Sequence, residues 1–159
     1  TSHKRPQDAA LHVLGKLSFQ VVAHQKTHIT STCRPARRTG EIHITAVTPH
    51  MHRTGAHSKF VLNRTSGETI TLLDQTYDYQ EQRTYPLWQT SEAVLNPGES
   101  VTSTCTFDNG TDAAIFSGDL EEDEMCRMFV LAWPAGSLSS GLPFGALINQ
   151  PDDLTCVEL

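Results

Sequence analysis

The chain has 159 residues, of which 38% are hydrophobic and 19% charged. That suits about one domain with a buried core and excludes a disordered charged tail. Twelve Lys and Arg against eighteen Asp and Glu give a formal charge of −6, which excludes sequence-independent nucleic-acid binding and supplies no polybasic membrane patch.

Residues 1–16 read as an N-terminal extension or linker, with no charged-then-apolar signal segment at the start. Residues 17–159 read as a single domain. Alternating or β-branched runs predict strands at Leu17–Ala23, Glu41–Thr48, Ser58–Asn63, Glu68–Asp74, Ser100–Asp108 and Glu124–Trp133. Turn residues separate them: Thr39-Gly40, Thr65-Ser66-Gly67, Asn96-Pro97-Gly98 and Asp108-Asn109-Gly110. Helical periodicity is nearly absent, so the class is all-β, an antiparallel sandwich or barrel. No apolar run, Phe129–Trp133 included, approaches the ~20 residues that span a bilayer, so no membrane insertion is expected. From Pro134 the chain turns irregular, rich in Gly and Pro, and the segment 134–159 needs an anchor that Cys156 can supply.

Cys33, Cys105, Cys126 and Cys156 are an even set, widely spaced and without a C-x-x-C pair. That pattern predicts disulfides rather than a zinc knuckle, and with them a secreted, periplasmic or otherwise oxidising compartment. Two N-x-[ST] acceptors, at Asn63 and Asn109, are compatible with that setting.

Eight histidines are the chemical feature of the chain. His24 and His28 stand four apart, but their segment is strand-like and lacks the glutamate of a zinc-protease helix. His50 and His52 follow an alternating strand, so both project from one face and can converge on a metal ion. Continuing that alternation back along Glu41–Thr48 puts Ile42, Ile44 and Ala46 in line with the pair and His43 on the other face. In Asp123-Glu124-Met125-Cys126, Met125 and Cys126 point to opposite faces of a strand, so one can meet a metal while the other closes a disulfide. Two imidazoles and a thioether form a soft, low-charge donor set suited to copper. Asp123 and Glu124 can orient such ligands, although the acidic run from Asp119 to Glu124 reads more simply as a solvated loop.

Pro49-His50-Met51-His52-Arg53-Thr54-Gly55, followed by Asp123-Glu124-Met125-Cys126, resembles the copper type II, ascorbate-dependent monooxygenases. The likeness is to their C-terminal catalytic copper domain, as in dopamine β-monooxygenase and the peptidylglycine α-hydroxylating enzyme. It runs from about Leu17 to Cys156 and takes in Cys33, His43, Leu95-Asn96-Pro97-Gly98-Glu99 and Cys105-Thr106-Phe107-Asp108-Asn109. The resemblance implies a jelly-roll-like, disulfide-stapled β-sandwich with bridges Cys33–Cys156 and Cys105–Cys126. It implies one catalytic copper per chain on His50, His52 and Met125, where O2 is activated to hydroxylate a small organic substrate. Electrons are then expected from ascorbate or another reductant.

Departures from the family accompany these likenesses. The family's electron-storing copper domain is not in this sequence, and one copper stores one of the two electrons that hydroxylation takes up. The chain is therefore expected to be an excised domain or a single-domain relative, served by an electron-donating copper domain, a protein, a soluble reductant or a second molecule. Where the peptide-amidating branch holds substrate with Arg, Asn and Tyr, this sequence has Thr48, Arg127 and Phe129. Thr48 cannot grip a carboxylate bidentately, which counts against a peptidylglycine substrate, although Arg127 can substitute in part. His43 and His57 stand as further candidates for outer partners or substrate contacts. A non-catalytic copper-carrying β-module is the competing reading. A cupin-like site is disfavoured, because Arg53-Thr54-Gly55-Ala56-His57 lacks the glutamate that follows a cupin H-x-H.

Overall fold

Alternating burial and β-branched residues produce strands throughout the computed structural model, which describes residues 8–35, 40–90 and 92–138 and the backbone of 156–158. Among them lie β1 (Ala10–Lys16), β2 (Gln20–Val21), β3 (Gln25–Cys33), β4 (Ile42–His50), β5 (Gly55–Asn63) and β6 (Thr69–Thr76). They are followed by β7 (Tyr85–Pro86), β8 (Val94–Leu95), β9 (Ser100–Asn109), β10 (Ile115–Phe116), β11 (Cys126–Trp133) and β12 (Cys156–Glu158). All paired strands run antiparallel, and no helix occurs among the described residues.

Two sheets carry the fold. The first has the order β12-β1-β11-β4, with β7 and β8 both on the free edge of β4; the second is β3-β9-β5-β6. Leu14, Ile44, Val47, Met128 and Val130 from the first sheet share one buried cluster with Phe60, Leu62, Leu73 and Val101 from the second. This is the expected all-β sandwich. A smaller cluster at one end joins Met51, Cys105, Phe107, Cys126 and Val21. Within it the Cys105–Cys126 disulfide links β9 to β11, and therefore one sheet to the other. Closing a loop of about 20 residues stabilises by roughly 3 kcal/mol. Cys33 is also disulfide-bonded, but the side chain of its expected partner, Cys156, lies outside the described residues.

The N-terminal boundary differs from the sequence reading. Residues 10–16, expected to belong to an extension, form β1 between β11 and β12, and Leu14 is fully buried. The alternation of Leu11-His12-Val13-Leu14 is masked by a histidine that is itself wholly buried. The run Leu17–Ala23 contracts to the two residues of β2. β3 had no predicted strand because its outer face is polar, but Thr30–Thr104 and Thr32–Thr102 hydroxyl pairs (3.1 and 2.9 Å) bind that face across to β9.

A bulge in β4 changes which residues share a face. Leu131 pairs with Ala46 but Ala132 pairs with Ile44, so Thr45 is an extra residue in β4. Ile42 and Ile44 are buried before the bulge, and Val47 and Pro49 after it. His50 is therefore not in line with Ile42 and Ile44, as strict alternation predicts. It shares the outer face with His43, Ala46 and Thr48. No helix among the described residues is long and apolar enough to cross a membrane.

Candidate metal centre

β4 ends at His50 with Met51 fully buried between two histidines. The chain then reverses through His52-Arg53-Thr54-Gly55, closed by the Gly55 amide donating to the His52 carbonyl at 3.1 Å. A Cβ on Gly55 would sit 2.6 Å from Met51 Cβ and 3.0 Å from Tyr77 Cδ1, so the tightness of this turn requires glycine. The outcome is a pair of imidazoles with ring centroids 5.5 Å apart and planes at 88°.

Each imidazole is oriented through Nδ1. His52 Nδ1 lies 2.9 Å from the main-chain oxygen of Asp123, an acceptor only, so the ring nitrogen donates. His50 Nδ1 lies 2.8 Å from Gln82 Oε1 and donates likewise. A neutral imidazole whose Nδ1 donates carries its lone pair on Nε2. Among the described residues neither Nε2 has a hydrogen-bond partner.

Met125 immediately precedes β11, in which Arg127 pairs with His50 of β4. Glu124 ties the two segments together: its Oε2 accepts the His52 amide at 2.9 Å and the Met125 amide at 3.3 Å. Its Oε1 accepts the Thr54 amide and hydroxyl, both at 2.7 Å. Asp119, Glu121 and Glu122 are the solvated loop expected, but Glu124 is only 1% exposed. A buried carboxylate is stable there because four donors surround it. The acidic run hid this role, since nothing in its composition sets the last residue apart from the others.

The segment 77–84 completes the surroundings and was not singled out in the sequence. Tyr77 hydroxyl accepts the Met51 amide at 3.0 Å and donates to the Met51 carbonyl at 2.6 Å. Burial pushes that phenol above its ordinary pKa, so it remains a donor at neutral pH. Tyr79 packs edge-on to His52, with centroids 6.3 Å apart, and its hydroxyl donates at 3.4 Å to Glu121. The Arg53 guanidinium bonds the same carboxylate and holds Glu121 below its usual pKa.

The other candidates lie apart from the pair. His57 is on β5 with its Nε2 2.9 Å from Asp74 Oδ1, a carboxylate that Lys59 also binds. His43 stacks on Trp133 at 3.6 Å and approaches Glu41 through Nε2. His24 bonds Asp112, and His28 bonds Thr106. Arg127 pairs with His50 in register, but its Nη1 bonds the carbonyls of Lys16 and Cys126, with its Cδ over Gly15. Burial lowers the pKa of this guanidinium. Thr48 hydroxyl exchanges a 2.8 Å hydrogen bond with Thr84. The two glycosylation acceptors are engaged internally: Asn63 Nδ2 donates to Ser100 and Thr102, and Asn109 is fully buried with its amide on the Ala113 carbonyl.

Among the described residues no group of three or more His, Cys, Asp or Glu side chains is placed to hold a metal. A metal on the His50–His52 pair therefore needs a third donor of another kind. The thioether of Met125 is the soft donor on the adjoining segment, and copper is the metal that such a set fits.

The molecule is thus a disulfide-stapled antiparallel β-sandwich with two open imidazole nitrogens at one end. The model of the family described as copper type II ascorbate-dependent monooxygenase, C-terminal domain, matches residues 7–142, and the chain belongs to that family. No curated protein matches the chain.

Proposed function

We propose that this domain holds one copper through His50 Nε2, His52 Nε2 and the Met125 thioether and acts as the oxygen-activating domain of a monooxygenase. The observation that carries the proposal is the orientation of the two rings, each with Nδ1 bound to a neutral oxygen and Nε2 open. Copper held there supplies one-electron redox chemistry with O2, for hydroxylating a C–H bond of a small organic substrate with electrons from ascorbate or another reductant.

The chain's own part in that chemistry is positional. Gln82 and the Asp123 carbonyl fix the two tautomers and raise the basicity of each Nε2. Glu124 clamps the His52 and Met125 backbones through one oxygen, and the Cys105–Cys126 bridge anchors the residue after Met125 to the second sheet. The domain is assigned to a secreted or other oxidising setting, with which the Cys105–Cys126 disulfide agrees. A copper-carrying module without turnover would use the same donors. A groove of about 320 Å3 on the outer face of the first sheet, lined in part by Thr48 and Phe129, favours the enzyme, because a carrier has no use for a substrate cavity.

Copper analysis with a Cu(I)-competing chelator, on the wild-type chain and on Met125→Ala, tests the assignment. The expected result is one copper per chain, with Cu(I) affinity lowered at least tenfold by the substitution. Stoichiometric copper that Met125→Ala leaves unchanged removes Met125 from the ligand set. Ascorbate-supported O2 uptake by the copper-loaded chain, absent from the metal-free chain, tests the enzymatic part.

A further inference from the structure

The groove beside His50 has a composition of its own. Leu11, Ala46, Thr48, Thr84, Phe129 and Leu131 line it, and these come from β1, β4, β11 and the segment leading into β7. The Thr45 bulge brings Ala46 and Thr48 onto the same outer face as His50. Phe129 reaches toward the metal end, its ring centroid 5.9 Å from that of His50. Leu11 and Leu131, paired across β1 and β11, remain 43% and 39% exposed. Ala46 to His50 spans four residues, or ~13 Å of strand.

No charged side chain lines this groove. Its polar groups, the Thr48 and Thr84 hydroxyls, bond each other. Arg127, two residues along β11 from Phe129, has its Nη1 held by the Lys16 and Cys126 carbonyls. A carboxylate or ammonium placed in the groove would lose water and find no counter-charge, which is costly. A neutral apolar molecule meets Leu11, Ala46, Phe129 and Leu131 and loses little.

We infer that this groove selects a neutral, largely apolar organic molecule roughly 10–13 Å long, presented with one end at His50. Its standing as substrate rests on the copper monooxygenase reading; its binding does not. Thr48 and Leu131 are the specificity-determining positions. Thr48 supplies no cation for a carboxylate, and Leu131 keeps the floor apolar.

Calorimetric titration of the full chain, metal-free and copper-loaded, with a matched series provides the test: 4-phenylbutan-1-ol, 4-phenylbutanoate and 4-phenylbutylamine. The alcohol is expected to bind at least tenfold more tightly than either ion, equivalent to about 1.4 kcal/mol. Leu131→Lys, at an exposed position, is expected to weaken the alcohol tenfold or more and to improve the carboxylate. Ala46→Trp, filling the groove, is expected to abolish binding of all three, with circular dichroism confirming the fold. An ion that binds as well as the alcohol overturns the inference. So does alcohol binding unaffected by both variants, or no binding of the alcohol up to its solubility limit. Copper content measured on the same samples separates this failure from failure of the metal site.

Discussion

Two groups of histidines in this molecule use opposite ring nitrogens. His57 on β5 turns Nε2 to the Asp74 carboxylate, and His24, just before β3, and His43 on β4 likewise meet Asp112 and Glu41 through Nε2. At the end of the first sheet His50 and His52 use Nδ1, and both acceptors are neutral oxygens, an amide and a peptide carbonyl. The first arrangement sets each ring against a carboxylate. In the second, Nδ1 is occupied by a neutral acceptor and Nε2 is the open ring nitrogen, the atom a metal ion would bind. His28 also meets a neutral oxygen, that of Thr106, through Nδ1; what sets His50 and His52 apart is that two rings so oriented stand side by side, with centroids 5.5 Å apart.

Removing a ring on either side should give opposite results. His52→Ala is expected to cut Cu(I) affinity by more than the roughly 10–100-fold that losing an outer partner costs, whereas His57→Ala should leave it unchanged. Competition with a Cu(I) chelator reads both. Equal losses would end the distinction between the two groups. The next effect in size is that of the orienting amide. Gln82→Ala frees His50 Nδ1 and should lower copper affinity by about 10–100-fold. Asp123→Asn should do far less, because His52 bonds the main-chain oxygen of that residue. A loss with Asp123→Asn as large as with Gln82→Ala would mean that the acidic side chain, not the peptide group, positions the ring.

Much of this was legible in the sequence, and the gaps have physical causes. The β4, β5, β6, β9 and β11 strands and the all-β class follow from alternation, since one face of each must be buried. The pairing Cys105–Cys126 and the family follow from resemblance. The outer face of His50 did not, because a single inserted residue at Thr45 inverts the phase of everything after it. β1 was hidden by a buried histidine, and Glu124 by four acidic neighbours. The Gln82 and Tyr79 contacts depend on a loop folding back across more than 20 positions, which no local pattern encodes. His50 and His52 stand out in the sequence because their spacing is local, and Met125 because of the resemblance; what orients them is encoded in neither way.

The site and the fold also depend on different groups on acidification. Protons compete with metal for both open Nε2 atoms, so copper affinity falls as pH drops. In the fold, a carboxylate that contributes acid sensitivity is Glu99, which is 6% exposed and bound to Arg64 Nη1 at 2.7 Å. Burial alone would raise its pKa. The Asn96 amide and side-chain bonds and the Arg64 contact outweigh that, and Glu99 ends below its ordinary 4.5. A carboxyl depressed in the folded state contributes stability above its unfolded pKa, and that contribution is lost as pH falls through the folded one. Denaturant midpoints should therefore hold between pH 7 and about 5 and decline below about 4.5, after copper has already been released. Glu99→Gln should lower stability at pH 7 by about 1–2 kcal/mol and flatten the acid decline. Copper release and unfolding that coincide in pH, in the wild-type chain and in Glu99→Gln alike, would show that the site and the fold titrate as one unit.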